Sequence, residues 1–395
     1  MSTFKGSRGG TKAPRGAVES PTPGDIFHTT VTERASFRTC RRMWYLENIE
    51  LLESATGVSF PLIFGSVMHD ALDTYYRSER DLQATLDMFQ KAWEIEDNKM
   101  ARELGSLYAD VQEEWEEHRL KGLQMLKYYD RHDRAHPFFD KVVDVGVGFD
   151  AWRENITVEE RYFIDILDAN GGATGGLLSG RIDLVVQRTD GIWIVDHKNY
   201  ASAPNWRVLE VDDQLTGYCY IWWRMTGELP RGAMYNVLLK DPPKPPKILV
   251  SGKLSVDKAQ RTTHDLFLDA VRETGQDEAD YAEFIEFLRE ARWSRFFPRS
   301  DNVGRNLQHV KSFERHLARE HTDMVRALAD EEERYPSPSQ TTCRYCSMVP
   351  ICNAMEDGSD AEGIKASMYR KKQPRHTIPD DVVARVGKET DGEEG

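Results

Sequence analysis

Along this 395-residue chain the spacing of apolar positions changes several times, and each change marks an element. Thr32 to Asn48 carries Phe37, Cys40, Trp44 and Tyr45 at roughly helical spacing, with Arg38, Arg41 and Arg42 between them, and predicts a short helix holding one cysteine. Phe64 to Asp70 opens a helix whose apolar stripe is Met68, Leu72, Tyr75 and Tyr76, with His69 one position off that stripe. Residues 81 to 132 predict two further helices with a break near Gly105-Ser106; the acidic run Glu113 to Glu117 is their solvated face. Between Val142 and Leu167 the period shortens toward two, most clearly over Val158 to Ile166, and Gly171 to Gly176 reads as a flexible turn. Helices are also expected from Val208 to about Met225, twice within 257–290 and once over 306–334, with a strand at Tyr235 to Leu239.

Gly180 to Lys198 reads as a hairpin: Ile182 to Val186 precede Thr189-Asp190-Gly191, and Ile192 to Val195 follow. A two-residue loop at Asp190-Gly191 sets Asp183 opposite Lys198, whereas a four-residue loop from Arg188 to Gly191 sets Asp183 opposite Asp196. Both registers have the same parity. Strand alternation therefore puts Asp183, Asp196 and Lys198 on one face, with cross-strand neighbours about 5 Å apart. Two carboxylates beside an ammonium suit a divalent metal; the competing reading is a salt-bridged hairpin on a solvated face. The apolar run before Asp196 places it at the buried end of a central strand, where an unpaired carboxylate is costly. Gln214 and Tyr218, four apart, share a face of the next helix, either aimed at the sheet beside Lys198 or incidental to an amphipathic core helix.

Composition narrows the picture. A hydrophobic content of 39% is enough for one large domain or two, each with a core. The net charge of -14 confines any nucleic-acid contact to local patches, such as Arg292 to Arg299 with its interleaved aromatics, which reads equally as a helix-to-loop transition with the aromatics buried, or the stiff loop Asp241 to Lys247, which either spaces two strands or flanks a phosphate backbone. No run of about 18 apolar residues occurs and the N-terminus lacks a signal-peptide core, so a soluble, intracellular (cytoplasmic) protein is expected. Residues 1–24 and 365–395 are expected to be disordered tails. No Gly-Lys-Ser/Thr phosphate loop is present, so no ATP motor is visible.

Five cysteines add a second chemistry. Cys343, Cys346 and Cys352 form C-x2-C-x5-C in a Pro- and Ser-rich loop; three ligands leave a tetrahedral or cubane site one short, and Cys40 is the natural fourth. Cys219 lies in an apolar helix and reads as a core thiol. Zinc, an iron-sulfur cluster and free thiols all remain open, with disulfides least favoured.

In order, Gly65-x3-His69, Gly180-Arg-Ile-Asp183, Asp196-His-Lys198 and Gln214-x3-Tyr218 resemble the motifs of the RecB-type branch of the PD-(D/E)XK nuclease superfamily. The early cysteine followed by the C-terminal three resembles its iron-sulfur members, which include CRISPR-associated adaptation exonucleases and AddB-type nucleases. Many members carry Glu where this chain has Asp196. The resemblance spans Thr32 to Cys352 and implies an α/β, restriction-endonuclease-like mixed central sheet flanked by helices. It places one nuclease domain at 25–355: a helical insertion over about 81–135, a nuclease core over about 140–250, and C-terminal helices with a Cys-ligated cluster loop over about 257–355. The implied activity is a metal-dependent DNA exonuclease acting on single-stranded ends. His69, Asp183, Asp196 and the carbonyl of His197 would bind Mg2+ or Mn2+, with Glu160 a lesser support. Lys198 would orient or help deprotonate the attacking water, and Gln214 and Tyr218 would position the strand. Cys40, Cys343, Cys346 and Cys352 would hold a structural 4Fe-4S cluster, with zinc as the alternative. DNA is the implied partner, and a helicase or recombination protein would have to separate strands. Two other readings stand beside this one: a DNA-binding or recombination scaffold with an idle site, and a zinc-stabilised interaction protein.

Overall fold

The computed structural model describes residues 27–55, 59–145, 162–291, 296–300 and 303–372. In chain order the first elements are β1 (His28–Thr30), α1 (Val31–Thr39), α2 (Arg41–Trp44), β2 (Leu52–Ser54), α3 (Phe60–Arg77), α4 (Leu82–Leu104) and α5 (Tyr108–Ala135). Then come β3 (Lys141–Val145), β4 (Tyr162–Leu167), β5 (Ala173–Gly180), β6 (Leu184–Arg188), β7 (Gly191–Tyr200), α6 (Asp213–Thr226) and β8 (Gly232–Leu239). The last are α7 (His264–Glu273), α8 (Ala282–Ala291), β9 (Val303–Gly304), α9 (Leu307–Ala329), α10 (Gln340–Arg344), α11 (Val349–Asp357), α12 (Ala361–Met368) and β10 (Tyr369–Lys371).

A five-stranded mixed sheet, ordered β3-β6-β7-β8-β9, lies at the centre. β7 and β8 are parallel, and the other pairs are antiparallel. Parallel neighbours need a crossover, which α6 supplies. Because side chains alternate along β7, Trp193 and Val195 face a core shared with α3, α4 and α5, while Ile192 and Ile194 face one shared with α6 and α9. A second sheet, β1-β5-β4, lies against α6 and α9, and its Ile164 and Leu178 join the latter core.

Several expected elements differ in their limits. The helix expected over Thr32 to Asn48 breaks at Cys40, which is extended at φ -163°, ψ 113° and caps α2 by accepting the Met43 N–H. The helix expected from Val208 begins only at Asp213: a 3-10 turn covers Trp206–Val211, and the Asp212 carboxylate caps the N–H of Leu215. The helix around His69 starts earlier, at Phe60, with Pro61 in its first turn. The glycine-rich turn is confined to the bend before Ala173, where β5 begins.

The expected cluster loop is helical in part, with Cys343 in α10 and Cys352 in α11. The expected C-terminal tail starts as α12 and β10, and β10 pairs with β2. Residues 1–26, the strand signal at 158–161 with Glu160, the Arg292 to Arg295 half of the basic-aromatic segment, and 373–395 lie outside the described residues. Among the described residues no helix is long and apolar enough to cross a membrane.

Candidate active site

β6 and β7 pair with Leu184 opposite Val195 and Arg188 opposite Gly191. The turn is therefore Thr189-Asp190, tighter than the four-residue loop, yet it keeps the register that brings Asp183 toward Asp196. Gly191 has φ +130°, a conformation that side chains rarely adopt, so the glycine is required where the chain enters β7. The Asp190 carboxylate accepts the indole N–H of Trp193 at 2.9 Å and ties the turn to the strand.

Asp183 lies just ahead of β6, and only 5% of it is exposed. One of its carboxylate oxygens accepts the backbone N–H of His197 at 2.8 Å; the other is 3.1 Å from Nδ1 of His69 on α3. Asp196, 2% exposed, holds the Lys198 ammonium at 2.6 Å. Lys198 also donates to Oε1 of Gln214 at 3.0 Å, and Nε2 of Gln214 donates to the Tyr218 hydroxyl at 3.0 Å. One line of polar contacts thus runs from Tyr218 to Asp196. Of the two residues expected on one helix face, Gln214 meets Lys198 directly and Tyr218 reaches it through Gln214.

Burial disfavours charge throughout this site, and the neighbours decide which groups keep it. Burial opposes the Asp183 carboxylate, but His69, His197 and Arg181 hold it well below the usual carboxylate range. Burial and the Asp183 charge push Asp196 up to about 6 despite Lys198. Burial works against the Lys198 ammonium, yet Asp196 and its other neighbours raise it above the ordinary lysine range. His69 is likewise raised, because Asp183 and Asp196 outweigh its burial. The site therefore holds two enclosed carboxylates, one strongly ionised and one resisting ionisation, and carboxylate oxygens are hard donors of the type divalent cations take.

The ring of His197 points to the other face of the sheet. It stacks on Tyr76, with ring centroids 5.6 Å apart and planes at 5°, and Nδ1 lies 3.0 Å from the Asn236 amide nitrogen. Burial pushes it down to about 3, so the ring is neutral. Its place in the expected metal set rests on the backbone carbonyl.

Two sets of contacts escaped the reading of the sequence. Arg181 binds the buried Asp73, with Asp70 3.8 Å away, which clamps α3 to the segment carrying Asp183. Burial pushes Asp73 up to about 7 even with Arg181 beside it. Asn236 on β8 joins the His197 ring to Arg299, which in turn pairs with Asp133. The helical spacing of His69 and Asp73 was a usable signal for the first contact; no local pattern announces the second.

A family model described as the PD-(D/E)XK nuclease superfamily matches residues 28–353. The chain belongs to this superfamily. Its members are nucleases that generally use Mg2+ or Mn2+, and the mixed central sheet with flanking helices is consistent with their fold. No curated protein matches the chain. Among the described residues, no three His, Cys, Asp or Glu side chains are grouped so as to hold a metal ion. Asp183, Asp196 and His69 are instead drawn onto His197, Lys198 and one another.

In this PD-(D/E)XK protein the arginines set between the apolar positions of α1 and α2 are paired with carboxylates. Arg38 pairs with Asp213 and Glu320, Arg41 with Asp323 and Glu333, and Arg42 with Glu356. Phe296 and Phe297 are core residues at 2% and 4% exposure, which removes them as bases' stacking partners. Burial raises the Cys346 thiol, with smaller contributions in the same direction from Glu47, Cys40 and Cys343. The Cys40 sulfur accepts the backbone N–H groups of Met43 and Ser337, each at 3.5 Å, and Arg42 donates to the Cys352 sulfur at 3.7 Å. Donors therefore reach two of the four sulfurs, those of Cys40 and Cys352. Cys219 is fully buried and pushed up to about 12 by that burial, as befits a core thiol.

Proposed function

We propose that this chain is a metal-dependent deoxyribonuclease acting as an exonuclease on single-stranded ends. The observation that carries the reading is the convergence of His69, Asp183, Asp196, Lys198, Gln214 and Tyr218 from four separate segments into connected polar contacts. Asp183, Asp196, His69 and the His197 carbonyl would hold the ion; hard carboxylates suit Mg2+ or Mn2+, and the imidazole leans toward Mn2+. When bound, it supplies positive charge as negative charge grows on the phosphoryl oxygens.

Lys198 remains an ammonium at neutral pH, so its part is electrostatic: it faces the developing charge and orients water. Gln214 and Tyr218 fix the direction of that ammonium. The preference for ends, and for single strands, follows from the resemblance to exonucleases. The same resemblance, with the donor-lined sulfurs, supports a structural 4Fe-4S cluster on Cys40, Cys343, Cys346 and Cys352. A helicase or recombination partner would supply the separated strands.

End-labelled DNA, single- and double-stranded, linear and circular, tests the reading with Mg2+, Mn2+ or EDTA. Linear single strands are expected to be shortened with either ion and spared in EDTA, and circles to survive. Cleavage of circles would overturn the end requirement, and cleavage in EDTA the metal requirement.

A further inference from the structure

The segment that leaves β8 is basic in an acidic chain: residues 240–261 carry six basic and two acidic side chains, against a net charge of -14 overall. It departs from the end of β8 that lies beside Tyr200, two residues past Lys198 on the parallel strand β7. Pro242, Pro243, Pro245 and Pro246 stiffen its first stretch. Beyond them the chain doubles back as a short hairpin. Ile248 bridges Leu254 in antiparallel sense, and the Leu249 N–H donates to the Lys253 carbonyl at 2.8 Å. Gly252, at φ +82°, closes the turn by donating its N–H to the Leu249 carbonyl at 2.9 Å.

The base of this hairpin is fixed and its tip is bare. Leu254 is buried in a core with Phe267 of α7 and Phe284 of α8, and its N–H donates to the Tyr281 hydroxyl at 3.1 Å. The Gln260 amide accepts the Lys247 N–H at 3.3 Å and donates to the Ser255 carbonyl at 2.6 Å. Ile248, Leu249 and Val250 are nevertheless exposed, Val250 completely. Three consecutive aliphatic side chains held in water by an anchored support mark a contact surface. Lys247 and Lys253 flank them. Both are exposed and neither joins an ion pair among the described residues, whereas Lys244 and Arg261 are drawn to Asp241. A ridge that is apolar along its crest and cationic at both feet matches a polyanion with apolar faces. Unpaired nucleotides are such a partner, with phosphates for the ammonium groups and base faces for the aliphatic ones.

We propose that the hairpin from Lys247 to Lys253 is a single-strand contact, its aliphatic crest lying against unpaired bases and its two lysines against the flanking phosphates. The inference rests on the nuclease reading and deepens it: the chain gains a surface that selects unpaired strands, separate from the residues that carry the chemistry. In a duplex, stacking covers the base faces, so the crest has nothing to meet. Contact with faces instead of edges also makes the surface tolerant of sequence.

The test is fluorescence anisotropy with a labelled oligothymidylate and a labelled blunt duplex, on the full chain carrying Asp196→Asn to prevent turnover, between about 50 and 200 mM salt. Leu249→Ser with Val250→Ser is expected to weaken single-strand binding at least about fivefold, to leave the slope of log affinity against log salt unchanged, and to alter duplex binding less than about twofold. Lys247→Gln with Lys253→Gln is expected to reduce the single-strand slope by about 1.4. Val250→Phe, which keeps the crest apolar, is expected to retain the parent affinity or exceed it. With Asp196 intact, the serine pair is expected to raise KM for the single strand and leave kcat within about twofold. Single-strand affinity indifferent to the serine pair would overturn the contact, as would an equal loss on the duplex. A parent chain that sediments as a dimer, with the serine pair monomeric and its DNA affinity unchanged, would assign the crest to a second copy and also overturn it. Should the serine pair melt below the parent protein, Val250→Ser alone decides: weakened single-strand binding supports the contact and unaltered binding overturns it. If the unsubstituted chain neither binds nor cleaves the oligonucleotide, the nuclease reading itself fails, a result distinct from normal cleavage with an unaltered affinity in the serine pair.

Discussion

Asp196 is held in its site against its own chemistry. Its pKa, pushed up to about 6, lies above the unfolded value, so the folded chain binds more protons than the unfolded one between about pH 4 and 6. Stability therefore falls as pH rises through that window. Asp73 acts in the same direction up to about 7, whereas His197, pushed down to about 3, acts in the opposite one. A difference measurement isolates Asp196. In EDTA, the melting temperature of Asp196→Asn relative to the parent chain is expected to climb from pH 4 to 6 and to level off above 7; a gap that is flat across the range would remove the carboxylate's penalty. Activity shows the other side of the same burial. Asp183→Ala, Asp196→Ala and Lys198→Ala are each expected to lower kcat by at least about 100-fold with folding retained, read by single-turnover cleavage and circular dichroism. Full activity in any one would refute its assignment. These three residues were legible in the sequence because a hairpin's parity fixes which side chains share a face. Arg181 and Asp73 were not, since they are 108 residues apart and meet only through tertiary packing.

At the scale of elements, the hairpin depends on how closely α6 approaches β5. A Cβ placed on Gly180 would lie 2.7 Å from Cδ1 of Ile221 and 3.2 Å from Cε1 of Tyr218. Both neighbours sit on α6, and Tyr218 is the far end of the contacts that aim Lys198. Gly180→Ala is thus expected to cost about 1–3 kcal/mol by overpacking. It should also lower kcat by about tenfold with little change in KM, because it displaces the orienting chain without removing a phosphate contact. Steady-state kinetics with a denaturation curve checks both, and a normal kcat would show that Tyr218 does not transmit the strain. Periodicity located α4, α5 and the helices after residue 257 well, because long amphipathic faces repeat many times. It failed where one side chain overrides the pattern: the Cys40 sulfur capping α2, and Asp212 starting α6 later than its apolar spacing indicated.

Across the whole molecule, the net charge of -14 says little about the local fields, because the N-terminal arginines are spent on carboxylates of α9, α11 and the segments around them. Those pairs tie α1 and α2 to the C-terminal helices, and the cysteines lie along the same seam. A ligated group joining Cys40 to Cys343 closes a loop of about 300 residues, worth about 6 kcal/mol in the chain-entropy relation for cross-links. The seam is also where β10 pairs with β2 and where Cys346 packs against the small core of Leu46, Leu52, Met348, Ile351 and Tyr369, so a cross-link there would hold that core closed. Cys343→Ala with Cys346→Ala is expected to abolish visible absorption in anaerobically purified protein and to lower its melting temperature by on the order of ten degrees. Cys219→Ala, in the α6 core, should leave the absorption intact. One zinc per chain with no visible band would replace the iron-sulfur cluster by a zinc staple, and a melting temperature indifferent to both substitutions would deny the seam any ligated group. Residual cleavage at low temperature in the double variant would separate the structural part of the seam from the chemistry.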